Sequence, residues 1–228
     1  MLIEEQNGNF AKPVLPAVPS SEVYLEDCVK ALKRFNDNHF DLAIVDPPYG
    51  LGMGTVSIPS EKNTNSQQKF YKDLKSKRWD DNTPNKEYFD ELKRVSKNQI
   101  VWGGNYMAEH LGNTKCIIIW DKMTYIPTMS QFEFAFCSFN KHPKMVKVNS
   151  TDIDRMHPTQ KPIKLYDWLL HNYAKEGDLI LDTHLGSGSS RIAAYKGGFN
   201  FVGFEIDAEY YEKQEKRFND FKSQLRMF

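Results

Sequence analysis

The chain has 228 residues, 40% hydrophobic and 26% charged, and its 30 basic side chains balance its 30 acidic ones. This length and composition indicate one globular domain, and the 15 Phe, 11 Tyr and 4 Trp exclude a chain that is disordered throughout. The balanced charge argues against a protein that coats nucleic acid by bulk charge, so any such binding must use local patches. No apolar run approaches the roughly 20 residues of a membrane span, and the acidic start lacks a signal-peptide core.

Cysteine usage indicates the compartment. Cys28, Cys116 and Cys137 lie far apart and form no C-x-x-C pair, which argues against a zinc site or a disulfide framework. We therefore expect no metal and a reducing, cytoplasmic location.

Strand and helix patterns alternate after a proline-containing arm at residues 1–22, and residues 23–228 are predicted to form a single domain. The predicted strands are 23–25, 42–45, 99–102, 116–120, 132–139, 178–182 and 201–205. The predicted helices are one capped by Asp27, then 86–95, 106–111, 162–173, one after Gly188, and 208–221. This alternation predicts an α/β fold with a mostly parallel sheet and helices on both faces.

Two polar stretches, residues 51–85 and 140–157, are predicted to be loops, and a loop as long as the first is usually functional or disordered. Within the first, basic residues of segment 69–78 outnumber acidic ones by five to one, with Phe70 and Tyr71 between them. Basic patches with aromatic residues suit phosphate contact and base wedging. On charge alone, a solvated lysine-rich loop is the more common case.

The first candidate site is Asp182-x-x-x-Gly186-x-Gly188, after a predicted strand and before a helix, with Glu205 at the end of the next strand. Glycines let the backbone approach a ligand, and a carboxylate at the Glu205 position can accept hydrogen bonds from ribose hydroxyls. A dinucleotide fingerprint would need glycine where the chain has Arg191, so a nucleoside ligand without phosphate fits better, as in S-adenosylmethionine. An ordinary glycine-rich turn is an equally good interpretation of this motif alone.

The second candidate site is Asp46-Pro47-Pro48-Tyr49, where two prolines end a buried strand. Ligands of open parallel sheets bind at the carboxyl ends of strands. Asp46 and the Pro47 carbonyl could each accept one hydrogen bond from an exocyclic amine. The Tyr49 ring offers a face on which a base can stack, and such stacking contributes about 1–3 kcal/mol per base. The alternative is a surface turn with a capping aspartate.

The third candidate is His157-Pro158-Thr159-Gln160-Lys161-Pro162, directly before a predicted helix. The lysine and the threonine hydroxyl could hold a carboxylate, aided by the helix N-terminus. A polar loop that ends in proline at a helix start is also routine.

Together these motifs resemble the DNA amino-methyltransferase family, in the order with the catalytic motif before the cofactor motif. Secondary matches are Gly103-Gly104-Asn105-Tyr106, Trp120-Asp121-Lys122 and Glu133, and the resemblance covers about residues 23–212. It implies a seven-stranded Rossmann-like methyltransferase sheet, S-adenosylmethionine as methyl donor and a base turned out of double-stranded DNA. An activity of this kind serves restriction–modification systems.

The resemblance also implies roles for individual residues. Residues 46–49 would hold the target base, and an aspartate at position 46 is typical of adenine-N6 enzymes. The cofactor would be held by the following residues: Asp182, His184, Gly186, Ser187, Gly188, Glu205, Thr159, Lys161 and Asp27. Among these, Glu205 would bind the ribose, Thr159 and Lys161 would lie near the methionine end, and Asp27 would reach the adenine.

Two features depart from the family pattern. The family usually has Asp-Pro-Phe where this chain has Asp182-Thr183-His184, so His184 would pack on the cofactor more weakly than phenylalanine, or simply on the sheet. The chain also has no room for a large recognition insertion, so recognition would come from loops 51–85 and 140–157 as DNA-contacting segments, from a homodimer or from a partner.

Several alternatives stay open from sequence. They are a cytosine-N4 DNA methyltransferase, an adenine RNA methyltransferase, a DNA-binding subunit that needs a partner for activity, and another nucleotide-binding α/β enzyme.

Overall fold

The computed structural model describes residues 18–52, 80–124, 130–150 and 160–225. Its strands are β1 (Ser21–Leu25), β2 (Phe40–Val45), β3 (Ser96–Trp102), β4 (Cys116–Asp121), β5 (Phe132–Cys137), β6 (Lys144–Lys147), β7 (Leu179–Asp182) and β8 (Asn200–Glu205). Its helices are α1 (Cys28–Leu32), α2 (Lys86–Val95), α3 (Ala108–Leu111), α4 (Ile163–Tyr173), α5 (Ser189–Lys196) and α6 (Ala208–Leu225), with a 3₁₀ turn at Gly104–Tyr106. No helix within these ranges is long and apolar enough to cross a bilayer.

All eight strands form one sheet in the order β1-β8-β7-β2-β3-β5-β4-β6. Every neighbouring pair is parallel except the two that involve β5, which runs antiparallel to β3 and β4. The carboxyl ends of seven strands and the amino end of β5 therefore lie along the same edge. This architecture confirms the predicted α/β fold with a mostly parallel sheet.

Successive residues of the central strands point to opposite faces of the sheet, and each face carries its own core. In β2, Leu42 and Ile44 belong to the core on the α4 and α5 side, whereas Ala43 and Val45 belong to the core on the α1 and α2 side. All four of these side chains are at most 1% exposed. The central strands are thus fixed on both faces, which gives their ends a rigid support.

The observed elements differ from the predicted ones in two places. The polar stretch 140–157, predicted as a loop, contains strand β6, so the sheet has eight strands where seven were expected. Only Val146 of this edge strand is buried, and a single buried residue produces no hydrophobic run in the sequence. At the other edge, β1 begins at Ser21, inside the range predicted as an arm, while residues 1–17 lie outside the described ranges.

Candidate active site

The Asp46–Tyr49 turn follows the central strand β2, at the edge where the parallel strands end. The carboxylate of Asp80 holds this turn, because its Oδ1 accepts hydrogen bonds from the backbone N–H groups of Tyr49 at 2.7 Å and Gly50 at 3.1 Å. Asp80 itself is 4% exposed. Sequence reasoning missed this residue, since an aspartate inside a long polar stretch carries no local signal.

The Asp46 carboxylate lies in a cluster of charged side chains that come from distant parts of the chain. The ammonium of Lys161 is 2.6 Å from Asp46 and 3.0 Å from Glu133, and the other oxygen of Glu133 is 2.7 Å from the ammonium of Lys122. The hydroxyl of Tyr49 donates to Asp46 Oδ1 at 2.7 Å. Charges therefore alternate along a row, from Lys122 through Glu133 and Lys161 to Asp46, and we call these four residues the charge row.

Burial and pairing act in opposite directions on the pKa values of the charge row. Burial is the largest influence on Asp46 and raises its pKa, against the effect of Lys161. Burial would also raise the pKa of Glu133, but two nearby lysines, Lys161 and Lys122, bring it down to about 2. Burial disfavours the charged form of Lys161, yet the carboxylates of Asp46 and Glu133 raise its pKa overall. Glu133 and Lys161 are therefore both charged at neutral pH.

The ring of Tyr49 is fixed from two sides. It stacks on Tyr106 with ring centroids 5.4 Å apart and planes 20° apart. Gly103 lies so close that a Cβ there would overlap the Tyr49 ring, and its φ of +66° is also in the left-handed region. Burial, together with Asp46 and Glu133, raises the pKa of Tyr49 well above its usual value, so the phenol stays protonated and donates.

The Asp182 carboxylate organises the glycine turn between β7 and α5. Its oxygens accept from the backbone N–H of His184 at 3.0 Å and from the hydroxyl of Ser190 at 2.5 Å. Burial raises the pKa of Asp182 to about 7. Gly188 precedes α5 with φ +72°, and a Cβ there would lie 3.2 Å from Gln214 Cβ, so both conformation and space favour glycine.

Glu205, at the end of β8, faces the same turn. Its Oε2 accepts from the backbone N–H of Gly186 at 2.8 Å, and its Oε1 accepts from the N–H of Asp207 at 2.9 Å. Ser187, between the two glycines, is 6% exposed and its hydroxyl bonds to Ser189 at 3.1 Å. A carboxylate has about four acceptor sites, so Glu205 can still accept a further hydrogen.

His184 and Asp27 complete this end of the sheet. Asp27 caps α1 as predicted, accepting from the N–H of Lys30 at 2.9 Å. The His184 ring meets Tyr88 edge-on at 5.3 Å, and its Nδ1 is 2.9 Å from the hydroxyl of Thr183. Burial lowers the pKa of His184 to about 4, so the ring is neutral at pH 7.

Arg191, the residue that breaks the dinucleotide fingerprint, is engaged within the protein. Its guanidinium lies 2.6 Å from the Glu215 carboxylate and 2.9 Å from Gln214 Oε1, and it covers the ring of Phe218 at 3.8 Å. Because these contacts hold it beside α6, Arg191 does not present a cation to the glycine turn.

The predicted site residues fall into two groups along one edge. The residues at the ends of β1, β7 and β8 form the group expected for a cofactor. Asp46 to Tyr49 form the second group, directly after the neighbouring strand β2. Lys161 was expected with the cofactor residues, but its ammonium lies in the charge row with Asp46. Thr159 and segment 69–78 lie outside the described residues. Lys122 and Glu133, noted in sequence only as secondary matches, belong to the site.

Comparison with known proteins identifies the family of the chain. A family model described as "DNA methylase", for N6/N4 methyltransferases, matches residues 101–216, just over half of the chain. The type II methyltransferase M2.MboI of Moraxella bovis is 26% identical over 90% of this chain and 92% of its own. The type II methyltransferase M.HpaI of Haemophilus parainfluenzae is 24% identical over 86% of this chain and 75% of its own.

Solved structures support the fold. A complex of M1.HpyAVI with S-adenosylmethionine has a TM-score of 0.57 at 20% identity and covers 87% of this chain and 98% of its own. The cytosine-N4-specific PvuII DNA methyltransferase has a TM-score of 0.58 at 14% identity and covers 92% of this chain and 94% of its own. The resemblance found in the sequence is confirmed, and the chain belongs to the DNA methylase family of N6/N4 methyltransferases.

Proposed function

We propose that this protein transfers a methyl group from S-adenosylmethionine to the N6 amine of adenine in double-stranded DNA. The observation that carries the proposal is the adjacency of the two motifs. Strands β2 and β7 pair directly, through Leu42 with Ile180 and Ala43 with Leu181. The Asp46 turn and the Asp182 turn therefore follow neighbouring strands at one edge, as a donor and an acceptor of a methyl group require.

The charge at the glycine turn fits S-adenosylmethionine better than a dinucleotide. Carboxylates of Asp27, Asp182 and Glu205 lie at the ends of three adjacent strands, and Arg191 is held elsewhere. The carboxylates of Asp27 and Glu205 would repel a pyrophosphate, whereas they suit a ligand with ribose hydroxyls and a sulfonium. Glu205 would accept from the ribose with its remaining acceptor sites, and two proteins of this fold are described as complexes with S-adenosylmethionine.

The Asp46 turn supplies acceptors for an exocyclic amine. Tyr49 and Lys161 both contact Oδ1 of Asp46. We assign the other oxygen, Oδ2, and the Pro47 carbonyl to the two N–H groups of the target amine. Holding both hydrogens directs the nitrogen lone pair at the donor, and the aromatic pair of Tyr49 and Tyr106 gives a flipped base a surface on which to stack.

The reaction is a direct displacement. S-adenosylmethionine supplies an electrophilic methyl group on a sulfonium. The amine nitrogen forms the new N–C bond, the C–S bond breaks with its electron pair left on sulfur, and the nitrogen then loses one proton. We assign the first acceptor of that proton to the Asp46 carboxylate. Alignment by the protein supplies most of the acceleration in such a step.

Adenine is preferred over cytosine because of the residue at position 46. Within the family that the chain resembles, aspartate there is typical of adenine enzymes and serine of cytosine-N4 enzymes. The fold does not discriminate between them, since the PvuII enzyme is described as cytosine-N4-specific.

The test is incubation of the purified protein with unmethylated duplex DNA and methyl-labelled S-adenosylmethionine, followed by nucleoside analysis. Label in N6-methyladenine is the expected result. Label in N4-methylcytosine would overturn the base assignment, and label only when RNA is supplied would overturn the DNA assignment. Cofactor binding without any transfer would favour a subunit that needs a partner, and binding of a dinucleotide instead would overturn the whole proposal.

A further inference from the structure

Lys161 differs from the other lysines in the described ranges because two carboxylates surround it in the interior. Its side chain is 3% exposed, and its ammonium is 2.6 Å from Asp46, 3.0 Å from Glu133 and 3.1 Å from the hydroxyl oxygen of Tyr49. An ammonium has three hydrogens, and these three contacts occupy them all. In this arrangement Lys161 is fully engaged with protein groups, so it is not directed at the carboxylate of a ligand.

We propose that Lys161 is a positioning residue, which keeps the Asp46 carboxylate charged and oriented for the target amine, with Glu133 limiting how tightly the two pair. This inference rests on the proposed methyl transfer, because it assigns Asp46 to the amine.

The geometry explains why a lysine shared between two carboxylates suits this task. A lysine bound to Asp46 alone would compete with the incoming amine for the carboxylate. Here Glu133 also attracts Lys161, and Lys122 balances Glu133 from the other side at 2.7 Å. The row has no net charge, which reduces the cost of burying its members. Among the described residues, both hydrogen-bonded neighbours of Asp46 contact Oδ1, so these contacts leave the Oδ2 side for the amine.

Without Lys161, the environment of Asp46 would favour the protonated acid. Glu133, on β5, would then face it without an intervening cation. Further titratable groups reach it from three other elements, with Asp182 on β7, Tyr88 on α2 and Tyr166 on α4. Each of these is neutral or negative, so Lys161 is the cation in direct contact with Asp46 among the described residues. A protonated Asp46 would lose acceptor capacity for the amine.

The experiment compares the pH dependence of methyl transfer in three variants. Lys161→Met should move the acidic limb of the kcat profile upward by about one to three pH units, because an opposite charge at this distance lowers a carboxyl pKa by that amount. Glu133→Gln should move the acidic limb to lower pH, because it removes the negative charge near Asp46 and Lys161 then pairs with Asp46 alone. A merely structural role would lower the rate equally at every pH.

Lys97→Met is the matched control. Lys97 pairs with Asp41 at 2.6 Å near the amino end of β2, the same strand that Asp46 follows. The control removes a lysine from an aspartate far from the site, and its profile should match that of the unmodified protein.

A second measurement does not depend on activity. The carboxyl ¹³C resonance of Asp46, assigned by its loss in Asp46→Asn, should titrate at higher pH in Lys161→Met and at lower pH in Glu133→Gln. Unmoved titration in both variants would overturn the proposal. The proposal would also be overturned if Lys161→Met bound S-adenosylmethionine more weakly and its acidic limb did not move. That result would make Lys161 a cofactor-binding residue. If the unmodified protein methylates no DNA, the proposed function fails, while the titration still decides the role of Lys161.

Discussion

The two halves of the site satisfy their carboxylates in different ways. At the ends of β1, β7 and β8, Asp27, Asp182 and Glu205 each accept hydrogen bonds from backbone N–H groups a few residues away or in the adjoining turn. Beyond β2, Asp46 and Glu133 are instead paired with lysines from distant segments. One half is thus held by its own backbone, and the other by charges that only the tertiary fold brings together.

This difference suits two different tasks. Backbone donors are fixed by the turn itself, so the carboxylates of Asp27, Asp182 and Glu205 are held in place without side chains from distant segments. Ion pairs between side chains respond to protonation and to competing hydrogen bonds. Under the proposed methyl transfer, Asp46 exchanges partners with an incoming amine, and the second kind of contact suits that exchange better than the first.

The largest expected effect comes from the charge row. Asp46→Ala should reduce methyl transfer by at least about 100- to 1,000-fold, the usual cost of removing one such hydrogen-bonding group from a transition state. Binding of S-adenosylmethionine, measured by calorimetry, should be retained. Asp220→Ala on the exposed face of α6 is the control, and unreduced transfer by Asp46→Ala would contradict the assignment.

In the cofactor half, Glu205→Gln should weaken binding of S-adenosylmethionine by about 10- to 100-fold, since hydrogen bonds to a charged group contribute about 1.5–3 kcal/mol. An amide presents N–H groups to either Gly186 or Asp207, which already donate to this side chain. Calorimetry gives the affinity, and kcat at saturating cofactor should change much less. Equal affinity in variant and unmodified protein would remove Glu205 from the site.

A substitution at Gly103 tests the packing of the Tyr49 ring without changing any charged residue. Gly103→Ala should destabilise the fold by about 1–3 kcal/mol more than Gly198→Ala, because overpacking adds to the strain of a left-handed backbone conformation. Both glycines have a positive φ, but a Cβ at Gly198 meets nothing within 4 Å, whereas one at Gly103 overlaps Tyr49. Urea unfolding of both variants measures the difference. Equal destabilisation by the two substitutions would show that the Tyr49 ring can shift at little cost in free energy.

The smallest effect concerns stability at mild acidity. The pKa of His184 is lowered to about 4 from 6.5, so the unfolded chain binds a proton between these values that the folded protein does not, and stability falls as pH falls through this window. Between pH 7 and pH 5, protonation of His184 in the unfolded chain lowers the free energy of unfolding by about 1–2 kcal/mol, and His184→Phe should abolish this decrease.

Asp182 acts in the opposite direction. Its pKa is raised to about 7, so this residue contributes stability that grows as pH falls from 7 toward 4. In His184→Phe this second dependence should become visible as a protein that is more stable at pH 5 than at pH 7 by urea unfolding. An unchanged pH dependence would show that His184 is well solvated.

Local patterns in the sequence predicted the backbone-held half of the site closely. The Asp27 cap, the glycines before α5 and Glu205 at the end of β8 all depend on residues near one another in the chain. The buried strand before Pro47 was equally clear, because its apolar run ends at two prolines.

The other half was predicted less well, for physical reasons. Lys161 precedes α4, and nothing in its neighbourhood shows that the fold brings it to Asp46 and Glu133. Asp80 acts on a turn that is distant in sequence, and β6 buries only Val146. Each of these features depends on which strands become neighbours, and neighbour order is a property of the whole sheet.

The bond between Gly52 and Asp80 has a consequence for engineering and for divergence. The N–H of Gly52 donates to the carbonyl of Asp80 at 3.0 Å, so the chain leaves the site and returns to it at nearly the same point. Because Gly52 and Asp80 are already held together, the loop-closure free energy of the connection between them depends weakly on its length. It rises by about 0.6 kcal/mol for each doubling of length. The junction at Gly52 and Asp80 therefore tolerates connections of different lengths at little cost in loop-closure free energy, which makes it a natural grafting point for new recognition elements.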